Sequence, residues 1–170
     1  MDDVRGRRSW TTSTTARRGS SMSCMQARVA KGKAMNVVKL DVAARQIESL
    51  IGSRLPSIVP DAIDAALGAL QWASVPPGIE DDDAMAKLLG LSSLPPDTEL
   101  VVVTDASFKD GSGAFAMYAV QFEEFQVWHS DRFSERVFSG GDVIIGAPVD
   151  RRLWVVHHEG VYATAQLSPP

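Results

Sequence analysis

Apolar residues recur at helical spacing in two segments of the N-terminal half of the chain. The first segment follows Asp41, a residue type suited to capping a helix, and its apolar positions lie three or four residues apart: Ala44, Ile47, Leu50, Ile51 and Leu55. The second segment begins at Pro60, which is favoured in a first helical turn, and its apolar stripe consists of Ile63, Ala66, Leu67 and Leu70. A Pro-Pro-Gly sequence at 76–78 ends this region. The pattern therefore predicts two N-terminal helices.

After this break the pattern becomes mostly extended. The acidic run at 80–83 precedes Met85 and Leu88 and predicts a short third helix with acids in its first turn. Residues 99–104 (ELVVVT) form an apolar, β-branched run that is typical of a buried central strand. Four further strands are predicted: 114–120, 142–146, 153–158 and 161–167. The last of these is expected at a sheet edge, and the two before it form a hairpin.

One segment between the strands has a helical pattern. Within 121–138, Phe122, Phe125, His129, Phe133 and Val137 fall on one side of a helical wheel. Two consecutive glutamates in this segment break the alternation that a strand needs. The fold class predicted for the chain is α+β, with N-terminal helices followed by a small, mainly antiparallel sheet with one helix.

The first 34 residues differ in composition from the rest. They are rich in Ser, Thr, Arg and Gly and have almost no aliphatic periodicity, which predicts a disordered tail. Three interpretations stay open: a transit peptide, a basic tail that binds nucleic acid, or a start codon placed too early, so that the protein begins near Met35. Residues 35–170 are expected to form a single α+β domain, long enough to bury a core.

The net charge also changes sign between residues 1–34 and residues 35–170. Residues 1–34 carry eight basic and two acidic residues, a net charge of +6, whereas residues 35–170 carry nine basic and nineteen acidic residues, a net charge of −10. A negative domain disfavours nucleic acid as its partner, because phosphates carry the same charge. It suits a basic protein partner, which its field attracts.

Composition also indicates a compartment. No apolar run approaches the roughly 20 residues that span a bilayer, so no membrane partner is expected. Cys24 is the only cysteine, which rules out an intrachain disulfide and favours a reducing environment. We therefore predict a cytoplasmic protein without a cofactor, and leave its oligomeric state open.

A first candidate for chemistry lies at the end of the 99–104 strand. The sequence TDAS at 104–107, followed by glycines, resembles the first strand and turn of ribonuclease H-like nucleases. The resemblance implies that Asp105 helps to bind divalent metals that activate water; it covers about a dozen residues, and Glu135 and Asp142 would have to serve as the further carboxylates. The competing interpretation is that Asp105 and Ser107 organise a turn through side-chain hydrogen bonds.

A second candidate is the pair His157 and His158, which is followed by Glu159. Successive strand residues point to opposite faces, so the two imidazoles are not expected to bind one metal within a regular strand. We expect one histidine to pack inside and the other to be exposed. A nucleophilic set of Ser107 with either histidine is a further alternative, although the chain has no Gly-x-Ser-x-Gly sequence.

The segment 101–162 also carries a longer pattern. An apolar strand ends in Thr-Asp, a Gly turn and a helix with Phe-Glu-Glu-Phe follow, and then come Phe-Ser-Gly-Gly-Asp-Val-Ile-Ile and Leu-Trp-Val-Val-His-His-Glu-Gly-Val-Tyr. This arrangement resembles SUKH-like and related bacterial toxin-immunity proteins. The resemblance implies a non-catalytic protein that binds and blocks a toxin. It supplies no binding residues, because immunity surfaces differ between members.

The leading prediction is a non-catalytic protein-binding module, with a basic toxin domain as the candidate partner. The predicted contacts are acids and one aromatic residue: Asp81, Asp82, Asp83, Glu123, Glu124, Trp128 and Asp131. For each acid the competing explanation is a solvated charge that keeps the protein soluble. Two other functions stay open: a metal-dependent ribonuclease H-like hydrolase that uses Asp105, and a structural or assembly protein whose aromatic surface mediates oligomerisation.

Overall fold

The computed structural model describes residues 35–109 and 111–168, so the predicted tail and Cys24 lie outside the described residues. Seven strands in this part of the chain form one sheet. They are β1 (Asn36–Val38), β2 (Ala73–Ser74), β3 (Glu99–Thr104), β4 (Ala114–Tyr118), β5 (Val143–Ala147), β6 (Arg152–His157) and β7 (Val161–Gln166). The order across the sheet is β1-β4-β3-β5-β6-β7-β2, and each neighbouring pair is antiparallel.

Helices cover both faces of this sheet. The described residues contain four α-helices: α1 (Leu40–Ile51), α2 (Pro60–Leu67), α3 (Asp82–Leu88) and α4 (Phe122–Phe133). Short 3₁₀ turns lie at Leu91–Ser93, Asp105–Phe108 and Ala119–Gln121. The predicted α+β class is confirmed. Among the described helices, none combines the length and the apolar character needed to cross a membrane.

Alternate residues of β3 enter two separate cores. Leu100 and Val102 pack in the core that contains α3 and α4, whereas Val101 and Val103 pack in the core that contains α1 and α2. A strand buried on both faces has no polar side to expose, which explains its unbroken apolar run. The sheet is therefore the middle layer between two pairs of helices.

The core beneath α3 and α4 is built around large rings. Phe115 of β4 contacts the rings of Phe125, Trp128 and Phe133 at centroid distances of 5.1, 5.6 and 6.2 Å. Trp154 of β6 is 1% exposed, and its Nε1–H donates to the carbonyl oxygen of Leu89 at 2.8 Å. That hydrogen bond satisfies the only polar group of the buried indole.

The two outermost strands were not predicted. β1 has three residues and β2 has two, and so neither is long enough to show an alternating pattern. β2 pairs with β7, so the segment predicted as an edge strand has a neighbour on each side. The helix predicted within 121–138 ends at Phe133, because Ser134 adopts a left-handed conformation with φ of 57°.

A buried histidine holds α4 to the end of β3. The Nδ1 of His129 lies 3.0 Å from the carbonyl oxygen of Glu135, and its Nε2 lies 3.1 Å from the Oγ1 of Thr104. A carbonyl only accepts, so Nδ1 carries the proton and Nε2 accepts from Thr104. Desolvation by burial lowers the pKa of His129. The hydrogen bond to Glu135 and the charges of Asp82 and Glu135 raise it, but the net pKa is below the ordinary value. The ring is therefore neutral near pH 7.

This burial gives a pH dependence of stability. The pKa of His129 is lower in the folded chain than its unfolded value of about 6.5. As the pH falls below that value the unfolded chain takes up the proton first, so stability decreases until the folded pKa is passed. Denaturant unfolding between pH 7.5 and 5 should show a steeper loss for the wild type than for His129→Gln. Parallel stability curves for the two proteins would contradict this assignment.

Candidate functional site

The register of the central strands brings three polar residues together at one end of the sheet. Asp105 directly follows β3, Asp142 directly precedes β5, and His157 is the last residue of β6. The pairs β3–β5 and β5–β6 are antiparallel, with their last paired residues adjacent to these positions. The three residues therefore occupy neighbouring strand ends, although they are far apart in the sequence.

Asp142 also fixes the residue that follows His157. Its Oδ1 accepts the backbone N–H of His158 at 2.9 Å and lies 2.9 Å from the Nδ1 of the same residue. This side-chain hydrogen bond raises the pKa of His158, and the negative charges of Asp142, Glu159 and Asp105 act in the same direction. One carboxylate thus orients both the backbone and the ring of His158.

The two histidine rings stack on each other. Their centroids are 4.1 Å apart, with 28° between the ring planes. The side chain of His157 is 13% exposed and that of His158 is 56% exposed, which agrees with the expectation that one histidine packs inside and the other is exposed. The rings nevertheless meet, because β6 ends at His157 and His158 lies in the turn that follows. One ligand atom each from Asp142, His157 and His158 lies within 4.8 Å of the other two.

Further carboxylates surround His157. Its Nε2 is 3.8 Å from the Oδ1 of Asp61 on α2, and its Nδ1 is 3.9 Å from the Oε2 of Glu159. The backbone N–H of Glu159 donates to the same Nδ1 at 3.2 Å. Each ring nitrogen of His157 therefore faces an acidic side chain, and the surroundings of the histidine pair are negative.

Asp105 lies against Gly141, the residue before Asp142. A Cβ atom at Gly141 would be only 2.8 Å from the Oδ2 of Asp105, so the absence of a side chain there admits the carboxylate. The predicted turn role is confirmed for Ser107, whose Oγ accepts the backbone N–H of Thr104 at 3.0 Å. Asp105 itself is exposed and adds negative charge near His158.

A cleft of about 330 Å³ borders both histidines. Its apolar lining includes Val75, Met85 and Phe138, and its polar lining includes the acidic residues 80–82. No sequence pattern linked the acidic run to the histidine pair, because the two segments meet only through the packing of α3 beside the sheet.

Two acids of the predicted contact set have structural roles. Asp81 caps α3, since its Oδ1 accepts the backbone N–H of Ala84 at 2.6 Å. The carboxylate of Asp82 accepts the backbone N–H groups of Val137 and Phe138 at 2.9 and 3.0 Å. Asp83 makes neither kind of contact and is exposed. Asp82 therefore ties the segment after α4 to the start of α3.

The other predicted acids share one face of α4. Glu123, Glu124 and Asp131 are exposed, and they alternate with Val120 and Val127, which are 45% and 61% exposed. Glu123, Glu124, Val127 and Asp131 are spaced so that they lie on one side of α4, and Val120 lies in the 3₁₀ turn that leads into this helix. We call this set the acid–aliphatic face. A groove of about 400 Å³ adjoins it and extends it to Asp83 and Lys87.

Trp128 lies at the margin of the core, one helical turn from Glu124 and from Asp131 on α4. It is half-buried, and its ring contacts Phe115, Phe125 and Phe133 at centroid distances of 5.6, 6.3 and 5.8 Å. These ring contacts account for an aromatic residue at this position, and no binding partner is needed to explain it. A binding role for Trp128 stays a prediction.

Comparisons with protein-family models, with curated proteins and with solved structures found no match for this chain. The resemblance to SUKH-like immunity proteins therefore stays a prediction from the sequence.

The two neighbouring acids Asp82 and Asp83 offer a matched test of structural and surface roles. Asp82→Asn should lower the free energy of unfolding by about 1–3 kcal/mol, because the amide presents an NH₂ group to one of two backbone N–H donors. Asp83→Asn, at an exposed position, should change it by less than about 0.5 kcal/mol. The free energies of unfolding of both variants are measured by urea denaturation. Equal values would contradict the role of Asp82 in holding the segment after α4 through two hydrogen bonds.

Proposed function

We propose that the protein is a non-catalytic binding module that holds a basic protein partner on the acid–aliphatic face of α4. The observation that supports this proposal is the grouping of three predicted contacts, Glu123, Glu124 and Asp131, around two exposed valines. The opposite side of the same helix is buried through Phe122 and Phe125, so the helix is firmly seated.

The chemistry of this face suits recognition of a cationic surface. Val120 and Val127 offer apolar area that a partner can remove from water. The surrounding carboxylates attract a positive partner and raise its association rate. Lys87 in the groove and Arg132 beside Asp131 make the charge pattern mixed, and such a pattern favours one docking orientation over others.

The partner class follows from charge and from the sequence resemblance. Residues 35–170 carry a net charge of −10, and immunity proteins of the SUKH-like type block toxins. We therefore propose a basic bacterial toxin domain as the partner, with binding that covers a functional surface of the toxin. No reaction by this chain is needed for that role.

The test uses immobilised full-length protein and lysate of the source cells, with captured proteins identified by mass spectrometry. A basic partner should be retained at low salt by the wild type and lost by Glu123→Lys/Glu124→Lys. Association rates measured with the purified partner should fall at least about tenfold in that variant and should fall with added salt.

A matched control separates a local surface from total charge. Asp41→Lys/Asp61→Lys changes the net charge by the same amount, but its residues lie on α1 and α2, which cover the opposite face of the sheet. This control should keep most of the binding. Equal losses in the two double variants would contradict the acid–aliphatic face, and capture of only the protein itself would favour the assembly alternative.

A further inference from the structure

We propose that Asp142, His157 and His158 form a binding site for a divalent transition-metal ion of the zinc class. The site lies at one end of the sheet, where β5 begins and β6 ends. It shares no residue with the acid–aliphatic face. The proposal rests on three observations: the convergence of the donor atoms, the kind of donors, and the carboxylates around them.

The donors converge because strand register holds Asp142 and His157, and Asp142 in turn holds His158. Asp142 adjoins the first residue of β5 and His157 ends the paired β6, so both backbones are fixed by sheet hydrogen bonds. One ligand atom from each of the three residues lies within 4.8 Å of the others. Donor atoms of a tetrahedral zinc ion are about 3.4 Å apart, given bonds of about 2.1 Å. The donor atoms therefore need to move closer together before they can bind one ion. A rotation of the His158 side chain, which is 56% exposed, can bring them closer.

The donor set selects the class of ion. Two imidazoles and one carboxylate suit zinc and its neighbours, whereas magnesium and calcium take mostly oxygen ligands. Three protein ligands also leave at least one position for water or another small ligand. The cleft of about 330 Å³ that borders both histidines provides space for such a ligand.

Acidic side chains lie beside both ring nitrogens of His157, at ion-pair rather than hydrogen-bond distance. Metal-bound imidazoles usually direct their second nitrogen to a carboxylate or carbonyl group, which orients the ring. Whichever nitrogen of His157 binds the ion, the other faces an acid, because Asp61 is 3.8 Å from Nε2 and Glu159 is 3.9 Å from Nδ1. The nearby charge of Asp105, placed by its contact with Gly141, adds to the attraction for a cation.

The hydrogen bond between Asp142 and His158 shows that two of the three donor atoms already face each other. The Nδ1 and Oδ1 atoms are 2.9 Å apart, so a single proton lies between two groups that are both metal ligands in other proteins. An ion that binds both atoms takes the place of that proton. The stacked ring of His157 then supplies the third ligand.

The experiment uses full-length protein without an affinity tag, both as the wild type and with Cys24→Ser to remove the only thiol. Cobalt(II) is added as a spectroscopic probe, and zinc is then added in competition. We expect a visible absorption that saturates at one ion per chain in both proteins and that zinc abolishes. His157→Ala, His158→Ala and Asp142→Asn should each weaken binding by at least about tenfold.

The third histidine provides the matched control. His129→Gln removes an imidazole that is buried elsewhere, and it should leave the affinity for cobalt unchanged. NMR of the histidine side chains in the wild type gives a readout that does not depend on the folding of any variant. Zinc should shift the ring signals of His157 and His158 and leave those of His129 in place.

Three outcomes would overturn the proposal. These are the absence of saturable cobalt binding at millimolar concentration, unchanged affinity in a His157→Ala/His158→Ala double variant, and zinc-induced shifts that spare both rings. The Glu123→Lys/Glu124→Lys protein should bind the metal like the wild type. Failure of the metal site and failure of the proposed partner surface are therefore distinguishable.

Discussion

The antiparallel register of β3, β5 and β6 is the constraint on which the rest of the structure depends. It sets which residues of each strand enter which core, because a slip by one position would exchange the two faces. It also determines which residues meet where the strands end. Asp105, Asp142 and His157 are neighbours only because the last paired residues of their strands are aligned. A packing requirement inside the sheet thus creates a polar cluster where its central strands end.

Helices on both faces leave few places for function. The faces of the central strands are buried in two cores, so the exposed groups of the described residues lie on the outer sides of the helices, in loops, on the outer strands and at the strand ends. The acid–aliphatic face lies on the outer side of a helix, and the cluster of Asp142 with His157 and His158 lies at the strand ends. The two differ physically: the first is broad and suits a macromolecule, whereas the second gathers donor atoms and suits an ion.

The sequence predicted the fold where a local pattern was strong. The strand at 99–104 was predicted with its observed bounds, and the helix at Pro60 begins where the proline indicated. β1 and β2 were missed because strands this short carry no periodic signal. The contact between the two histidine rings was missed for a different reason: alternation holds only inside a strand, and the end of β6 falls between His157 and His158. The link from Asp82 to Val137 and Phe138 spans more than fifty residues and has no local pattern.

The same long-range contacts determine where Asp142 lies. The carboxylate of Asp82 holds the middle of the segment between α4 and β5, because it accepts the backbone N–H groups of Val137 and Phe138. The segment then reaches Gly141, where the lack of a side chain admits Asp105 beside Asp142. Asp82 was predicted from the sequence as a surface contact. It therefore helps to position the histidine cluster. The position of the cluster follows from the packing of α3 and α4 on the sheet as much as from the residues that form it.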